Sequence, residues 1–492
     1  MNRNFLLACL LSLCLIRLWL MPLASSFWVD ETATAFVVTH GAGDPSLRVA
    51  PQVPASIYYV LPRLSTRWFG PSEIAYRFPS LLALGAALFC IARLAARLIR
   101  AEAAWFAVFA CLALKGFNYQ AADARPYALG TCVACAGVCL LVDWLDRGGW
   151  ARGLAFVAAA SLLWRVHLLD WPFYLVFAVY AALRLSRRGS AEGARVSWSA
   201  AGAAAGLLAV CLLPVAAEAL ALREGARAHV MSALPGITDH LFHSLKLGLV
   251  LAPAALAAIV ARCLGRSGDG KVISFPALGL ILAWWLTVPL GLLAFSRITG
   301  TSVFLERYLS LSLPGAAFVS TAAAAHFLPP RWWKAAAALM GCAALLAAGN
   351  WREGLPRHHD SDWRGAAAAL NREQEGGAMP VLCPSPFLEA APPVWRPDYP
   401  VQSFLYSHLV YYPVAGRVYP FPFADSAQAE AFAAALSAGT LSASPRFAIY
   451  GQTRIAGFWR NWFQARPELA GWRLRNLGDF GDVEAVVFEK PR

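Results

Sequence analysis

Long apolar runs separated by short polar segments form the pattern of the first 350 residues. Each run has about the 20 residues that a helix needs to cross a hydrocarbon core of about 30 Å. Only 14% of all residues are charged, against about a quarter in soluble domains. We therefore expect a polytopic α-helical membrane protein. The pattern predicts eleven membrane spans, at residues 4–24, 76–99, 102–118, 126–142, 149–165, 168–184, 198–220, 240–262, 274–296, 308–327 and 332–350.

Basic residues lie in alternate loops between the predicted spans. With a cytoplasmic N-terminus, the cytoplasmic segments carry 15 basic and five acidic residues, as the positive-inside rule requires. The odd number of spans then places the C-terminal segment outside. From Trp351 onward the chain has 14 basic and 14 acidic residues, so the net charge of +13 lies wholly in the membrane part. This distribution indicates membrane topology rather than a nucleic-acid-binding surface.

Residues 351–492 show the mixed pattern of a small α/β domain, which we expect to follow a transmembrane catalytic domain of residues 1–350. Ser361 to Arg364 before an alanine-rich run predicts a capped helix start, and residues 427–436 predict a second helix. Short apolar runs at 381–383, 447–450 and 483–488 predict strands. This segment has no P-loop, no GxGxxG and no metal-ligand spacing, so we expect no nucleotide cofactor.

The first outer loop, residues 25–75, contains a segment with the pattern of a helix in the membrane interface. Ile57, Leu61, Leu64 and Trp68 recur at helical spacing, with arginines on the other side. A loop helix that packs on neighbouring spans would show the same pattern. Both interpretations place this helix at the membrane surface.

Ionisable residues recur at the outer ends of several predicted spans. Charges at a bilayer boundary are costly unless they pair or face water, so their shared level predicts a functional site. Taken singly, each has an ordinary explanation, such as a solvated loop start, a snorkelling arginine or a local ion pair. The prediction depends on their joint placement. The residues are Asp30, Glu31, Asp123, Arg125, Arg165, His167, Asp170, Glu306 and Arg307.

Four motifs follow one another along the chain: Asp30-Glu31 with the later Tyr58-Tyr59, Asp123-Ala124-Arg125-Pro126-Tyr127, Glu306-Arg307-Tyr308-Leu309 with Leu313-Pro314-Gly315, and Asp362-Trp363-Arg364. Together they resemble the GT-C superfamily of integral membrane glycosyltransferases. The similarity is to the branch that contains protein O-mannosyltransferases and lipid A aminoarabinose transferases. One departure is Gln52, where many relatives carry a His-Pro-Pro or acidic element that could hold a metal.

The resemblance implies an inverting transfer of sugar from a polyprenyl-phosphate carrier, with Asp30 as the base that deprotonates the acceptor. Arg125 and Arg307 are candidates to neutralise the phosphate leaving group, because guanidinium groups bind phosphate oxygens in pairs. Glu31 and Asp123 are also candidate ligands of a divalent metal cation. The other candidate substrate-binding residues are Glu31, Asp123, Tyr127, His167 and Tyr58.

The expected partners are a polyprenyl-phosphate-linked sugar donor, the bilayer, and a lipid, glycan or protein acceptor of the cell envelope, such as lipopolysaccharide. The expected location is the bacterial cytoplasmic (inner) membrane, with the active site and the C-terminal domain facing the periplasm or exterior. A secondary transporter or flippase of a lipid-linked or anionic substrate is the alternative, because Arg17 lies well inside the first span. A receptor or scaffold would leave the carboxylate and arginine pairs unexplained. Pentose, hexose and uronic acid donors fit the sequence equally.

Overall fold

The computed structural model describes residues 3–222, 236, 244–263, 273–352, 354–387 and 395–491. It consists of a bundle of apolar helices and, at the C-terminus, helices around a five-stranded sheet, which confirms the predicted fold class. Among the described residues, seven helical segments are long and apolar enough to cross a membrane, and eleven spans stay a prediction. These segments are Asn4–Ala24, Glu73–Leu98, Tyr127–Arg147, Leu168–Ser186, Trp198–Ala221, Phe275–Thr299 and Glu306–Phe327.

Every predicted span has a helical counterpart in the described part of the chain. The span predicted at 102–118 is divided into two helices, because the backbone of Leu114 is extended. Residues 240–243 of another predicted span, and the loop residues Arg266 and Lys271, lie outside the described residues. The helices are α1 (Arg3–Leu15), α2 (Val29–His40), α3 (Val60–Phe69), α4 (Glu73–Leu98), α5 (Ala104–Leu112), α6 (Lys115–Tyr119), α7 (Tyr127–Arg147), α8 (Trp150–Val166), α9 (Tyr174–Ser186), α10 (Trp198–Ala221), α11 (Leu247–Cys263), α12 (Phe275–Thr299), α13 (Leu313–Phe327) and α14 (Trp333–Ala348).

The C-terminal sheet has the strand order β2-β1-β3-β5-β4. Strand β1 pairs in parallel with β2 and β3, and β5 pairs antiparallel with β3 and β4. The three predicted strands and both predicted helices are confirmed, whereas β2 and β4 were not predicted. The elements are α15 (Trp363–Glu375), β1 (Val381–Pro384), α16 (Ser407–Tyr411), β2 (Val418–Phe421), α17 (Ala427–Leu436), β3 (Arg446–Gln452), α18 (Thr453–Gln464), β4 (Arg473–Asn476) and β5 (Val483–Glu489).

One hydrophobic core joins helix α2 to the C-terminal sheet. Phe36 of α2 packs in the same buried cluster as Trp363 and the inner residues of β1 and β5. Polar contacts add to this packing, since the hydroxyl groups of Thr32 and Ser407 lie 2.9 Å apart. The C-terminal segment therefore packs directly on the helix that carries Asp30.

The outward face of helix α3 carries both apolar and basic side chains. Val60, Leu64 and Trp68 are exposed, while Pro62 and Ser65 are buried against the protein. Exposed apolar side chains on a short helix fit a position against lipid. The interfacial location of α3 stays a prediction.

Arg17, the charge inside the first predicted span, caps the end of helix α14. Its Nε donates to the carbonyl oxygen of Gly349 at 2.7 Å, and its terminal nitrogens donate to those of Asn350 and Gly354. The guanidinium group also lies over the Trp351 ring. Carbonyl groups at a helix C-terminus lack helical partners and favour a cation. Arg17 therefore has a structural role, which removes the observation that favoured a transporter.

We predict that Arg17→Met destabilises the protein by about 2–4 kcal/mol, because the loss of a buried charged donor leaves several carbonyl groups unsatisfied. Thermal unfolding of the purified protein in detergent measures this effect. The control is Arg67→Met, since Arg67 is exposed on helix α3. Equal melting temperatures for the two variants would contradict the prediction.

Candidate functional site

Asp30 lies in the first turn of helix α2, beside two arginines from distant parts of the chain. Its carboxylate Oδ2 is 3.4 Å from Nη2 of Arg307, and 18% of its side chain is exposed. Arg125 Nη1 donates to the backbone carbonyl of Asp30 at 3.2 Å. The fold thus brings together the base candidate and both phosphate-binding candidates of the sequence analysis.

The two arginines line a cavity of about 450 Å³. The Nε groups of Arg125 and Arg307 are buried and have no hydrogen-bond partner among the described residues. A buried donor without an acceptor is costly, so these groups are suited to an anionic ligand. Among the described residues, the lining includes three arginines and no carboxylate. Its polar or aromatic lining residues are Gln52, Ser56, Tyr59, Arg125, Arg165, His167, Ser302, Arg307 and Tyr308.

Aromatic rings form one side of this cavity. The ring of His167 lies 5.2 Å from that of Tyr308 and 5.5 Å from that of Tyr127. Tyr59 lines the cavity. The substrate-binding candidate Tyr58 does not, because its hydroxyl group points to Ser80 at 3.2 Å and its side chain is fully buried. The second tyrosine of the pair therefore replaces the first as a candidate.

His167 is neutral in this environment. Burial, together with the positive charges of Arg125 and Arg307, lowers the pKa of His167 to about 3. Its Nδ1 lies 3.7 Å from the Asp170 carboxylate. The neutral His167 ring can therefore donate a hydrogen bond to a ligand or accept one from it, but it adds no charge to the cavity.

Glu31 of helix α2 forms a buried ion pair with Arg77 of α4. Arg77 Nε donates to Glu31 Oε1 at 2.7 Å, Arg77 Nη2 bonds Oε2, and both side chains are fully buried. Glu31 also accepts from the backbone N–H groups of Ala124 and Trp28. These contacts give Glu31 a structural role within the protein, and its predicted role in substrate binding stays a prediction.

Arg77 also binds the backbone that connects the first span to α2. Its Nη1 donates to the carbonyl oxygens of Leu23 at 2.8 Å and Ser25 at 2.7 Å, and its Nη2 donates to that of Ser26 at 3.1 Å. One buried guanidinium group thus fixes the segment before α2 and the first turn of α2 together. The position of Asp30 follows from this arrangement.

Asp123 and His358 lie beside each other, and both side chains are buried. The Oδ1 of Asp123 accepts from Trp28 Nε1 at 3.2 Å and lies 3.5 Å from His358 Nε2. Burial raises the pKa of Asp123 to about 7, and burial lowers the pKa of His358 to about 3. Because of these pKa shifts, the Asp123 carboxyl group keeps its proton near neutral pH, and the neighbouring His358 imidazole is neutral.

Glu31, Asp123 and His358 place one ligand atom each within 4.8 Å of one another. They nevertheless fit a metal ion poorly. The two oxygens of Glu31 already accept four hydrogen bonds, two of them from the cation Arg77. Only Asp123 Oδ2 and His358 Nε2 lack a partner among the described residues, and a divalent cation needs more ligands. We derive no metal-dependent step from this cluster.

Sequence reasoning missed Arg77, His358 and Tyr59. Arg77 looked like one more residue at the start of a predicted span, since its partners lie about 50 residues earlier in the chain. One signal in the sequence indicated that a distant basic residue pairs with these carboxylates: Asp30 and Glu31 are adjacent, and few basic residues lie near them in the chain. His358 had no sequence signal, because its contact with Asp123 depends on tertiary structure.

A second, apolar cavity of about 410 Å³ lies between helices α5, α11, α13 and α14. Its lining is almost wholly aliphatic and aromatic, and includes Phe106, Leu256, Ala316 and Leu339. Such a lining suits a hydrocarbon chain.

Comparison with known proteins identifies the fold. No protein-family model matches the chain. A stretch of 85 residues is 38% identical to uncharacterized protein PA0522 of Pseudomonas aeruginosa, and covers 88% of that protein and 17% of this chain. The crystal structure of ArnT from Cupriavidus metallidurans in the apo state matches over 100% of both chains, with 12% identity and a TM-score of 0.58. The crystal structure of that ArnT bound to undecaprenyl phosphate gives 0.56 at 12% identity. The likeness confirms the GT-C fold that the motifs predicted.

We predict that Arg77→Met destabilises the protein by about 3–5 kcal/mol, because it leaves the charge of Glu31 buried and unpaired. The double variant Glu31→Leu/Arg77→Met should lose less stability than the two single variants together. Thermal unfolding in detergent of all four proteins gives the coupling between the residues. Strictly additive effects would show that the pair does not hold the segment before α2.

We also predict opposite pH dependence for two single variants of the buried pair. In Asp123→Asn, the folded protein lacks a proton on His358 that the unfolded chain binds below pH 6.5, so stability should rise as the pH increases from about 3 to 6.5. In His358→Gln, folded Asp123 keeps a proton that the unfolded chain releases above pH 3.8, so stability should fall between about pH 4 and 7. Melting temperatures across this range test both slopes, and slopes of the same sign would refute the assignment.

Proposed function

The chain belongs to the same family as the uncharacterized protein PA0522 and has the fold of ArnT, and from these premises we propose that it is a membrane glycosyltransferase. Its donor is a sugar linked to a polyprenyl phosphate, and its acceptor is a hydroxyl group of an envelope glycolipid, glycan or protein. The observation that carries the proposal is the position of Asp30 beside Arg125 and Arg307, two arginines that line one cavity. A carboxylate and two guanidinium groups are the side chains that this transfer requires.

The proposed reaction is a single displacement with inversion. The Asp30 carboxylate takes the proton of the acceptor hydroxyl while the acceptor oxygen forms a bond to the anomeric carbon. The bond from the anomeric carbon to the phosphate oxygen breaks, and its electron pair leaves with the polyprenyl phosphate. Asp30 is suited to the role of base because it is partly exposed at the end of a helix that Arg77 and Glu31 hold in place.

Arg125 and Arg307 stabilise the leaving group in this proposal. The phosphate gains negative charge as the bond breaks, so preorganised donors around it lower the barrier. Both arginines have a buried Nε group that no described residue uses. Both side chains are partly buried, which reduces the screening of their charges by water. A phosphate group would complete their hydrogen bonds.

The sugar is expected to lie against the rings of Tyr59, His167 and Tyr308, which line the cavity. Flat aromatic rings present both apolar faces and polar edges, which suits a sugar. The neutral His167 can exchange hydrogen bonds with sugar hydroxyls without repelling Arg125 or Arg307. The apolar cavity between α5, α11, α13 and α14 would accommodate part of a lipid chain.

The proposed location is the bacterial cytoplasmic membrane, with the site and the C-terminal domain of residues 351–492 on the outer side. The basic loops support this orientation through the positive-inside rule. The C-terminal domain contributes the packing against helix α2 and the His358 contact. We propose that it supports the site.

Deletion of the gene is predicted to remove one sugar from an envelope glycolipid, glycan or glycoprotein, and wild type should restore it. Asp30→Asn at the same membrane level should restore less than about 1% of the product, since loss of a general base typically costs 10²–10⁴-fold in rate. Mass spectrometry of envelope glycolipids and secreted glycoproteins gives both the missing sugar and its acceptor.

Asp44→Asn serves as the matched control, because Asp44 lies in the same outer loop and caps a short helix through Ser46. It should restore the product fully. Full restoration by Asp30→Asn would exclude Asp30 as the base. An unchanged envelope after deletion would instead favour a transporter.

A further inference from the structure

Trp28, the residue that precedes helix α2, connects several of the contacts around Asp30. Its side chain is buried, with 7% exposed. Its backbone N–H donates to Glu31 Oε2 at 3.2 Å, and its indole Nε1 donates to Asp123 Oδ1 at 3.2 Å. Both N–H groups of Trp28 thus form hydrogen bonds inside the protein, and these bonds fix the orientation of the indole ring.

The guanidinium group of Arg307 lies over this ring. The Arg307 Cζ atom is 5.5 Å from the ring centre, within the distance at which an aromatic face attracts a cation, and tryptophan attracts most strongly. A carboxylate partner accepts hydrogen bonds from an arginine, whereas an aromatic face attracts the charge and needs none of them. Arg307 Nε is buried and has no hydrogen-bond partner in the part of the chain that the structure describes. The ring therefore holds the cation and leaves its donors available to a phosphate.

The ion pair with Asp30 is a weak restraint on Arg307. Its two atoms, Arg307 Nη2 and Asp30 Oδ2, are 3.4 Å apart, and 32% of the Arg307 side chain is exposed. A long arginine side chain loses much rotamer freedom when it is ordered. The rings of Trp28 and Tyr308, whose centres lie 5.5 Å and 5.4 Å from Arg307 Cζ, restrict the guanidinium group further.

The C-terminal domain contacts the same indole ring. The His359 ring stacks on Trp28, with the ring centres 5.1 Å apart and the planes 4° from parallel. His359 Nδ1 lies 3.0 Å from the hydroxyl oxygen of Ser361, which places the histidine at the start of the C-terminal domain. Contacts thus run from this domain through Trp28 to Arg307.

We propose that Trp28 is a positioning residue for the carrier phosphate: its ring holds Arg307 in the orientation that binds the phosphate, and His359 of the C-terminal domain holds the ring. The proposal rests on the proposed glycosyltransferase function and adds a residue that acts through Arg307. Such a role differs from general support of the fold. Loss of the ring should weaken phosphate binding only while Arg307 is present.

The test measures binding of undecaprenyl phosphate to the purified full-length protein in detergent. Native mass spectrometry or titration calorimetry gives dissociation constants for wild type, Trp28→Leu, Trp28→Phe, Arg307→Gln and the double variant Trp28→Leu/Arg307→Gln. Trp28→Met replaces Trp28→Leu if the leucine variant does not accumulate. The control is Trp19→Leu, because Trp19 is also buried and its indole donates to Asn118 Oδ1 at 3.0 Å. Melting temperatures of all variants separate a loss of stability from a loss of affinity.

We expect Trp28→Leu to weaken binding by about five- to tenfold, as the loss of a partly buried contact between a cation and an aromatic ring predicts. Trp28→Phe should weaken it by no more than about twofold, because an aromatic face is kept. In the Arg307→Gln background, Trp28→Leu should cause no further loss, since the ring acts through that arginine. Trp19→Leu should lower the melting temperature and leave the dissociation constant unchanged.

Three outcomes would exclude the positioning role while the proposed glycosyltransferase stands. In the first, wild type and Trp28→Leu bind undecaprenyl phosphate equally well. In the second, the effects of Trp28→Leu and Arg307→Gln are additive, and in the third, Trp28→Phe loses as much affinity as Trp28→Leu. If wild type does not bind undecaprenyl phosphate, the proposed function and this proposal both fail.

Discussion

The buried ion pair of Arg77 and Glu31 determines how the site is built. The desolvation of two buried charges is offset only when all their donors and acceptors form hydrogen bonds. Arg77 donates to Glu31 and to the carbonyl groups of Leu23, Ser25 and Ser26. The pair therefore fixes the exit of the first span, the start of helix α2 and the contact with helix α4 at once. Asp30 is next to Glu31, so its position beside Arg307 follows from that arrangement.

Two neighbouring carboxylates thus differ in role because their environments differ. Glu31 faces the protein interior and uses all its hydrogen-bonding capacity there, whereas Asp30 faces Arg307 at a partly exposed position. The same contrast holds among the arginines. Arg77 and Arg17 are saturated by backbone carbonyl groups and support the fold, while Arg125 and Arg307 keep donors that nothing in the described structure uses. Unsatisfied buried donors are costly, which is why they indicate a ligand.

Local patterns in the sequence predicted much of the fold, because apolar runs and helix signals act over a few residues. Helix α17 has the bounds that its pattern predicted, and Asp30, Arg125 and Arg307 meet as the motifs implied. Long-range contacts escaped prediction. Arg77 was hidden inside an apolar span, and the roles of Glu31 and Tyr58 changed because their partners, Arg77 and Ser80, are set by tertiary packing. The exposed strand β4 lacks an apolar pattern, so periodicity could not identify it.

The central claim is that Arg125 and Arg307 bind the carrier phosphate beside Asp30. An electron cryo-microscopy structure of the full-length protein with undecaprenyl phosphate tests it most directly. We expect phosphate oxygens within about 3 Å of guanidinium nitrogens of both arginines, with the Asp30 carboxylate facing the position of the anomeric carbon. A phosphate bound away from this cavity, with Arg125 and Arg307 still facing empty space, would contradict the account.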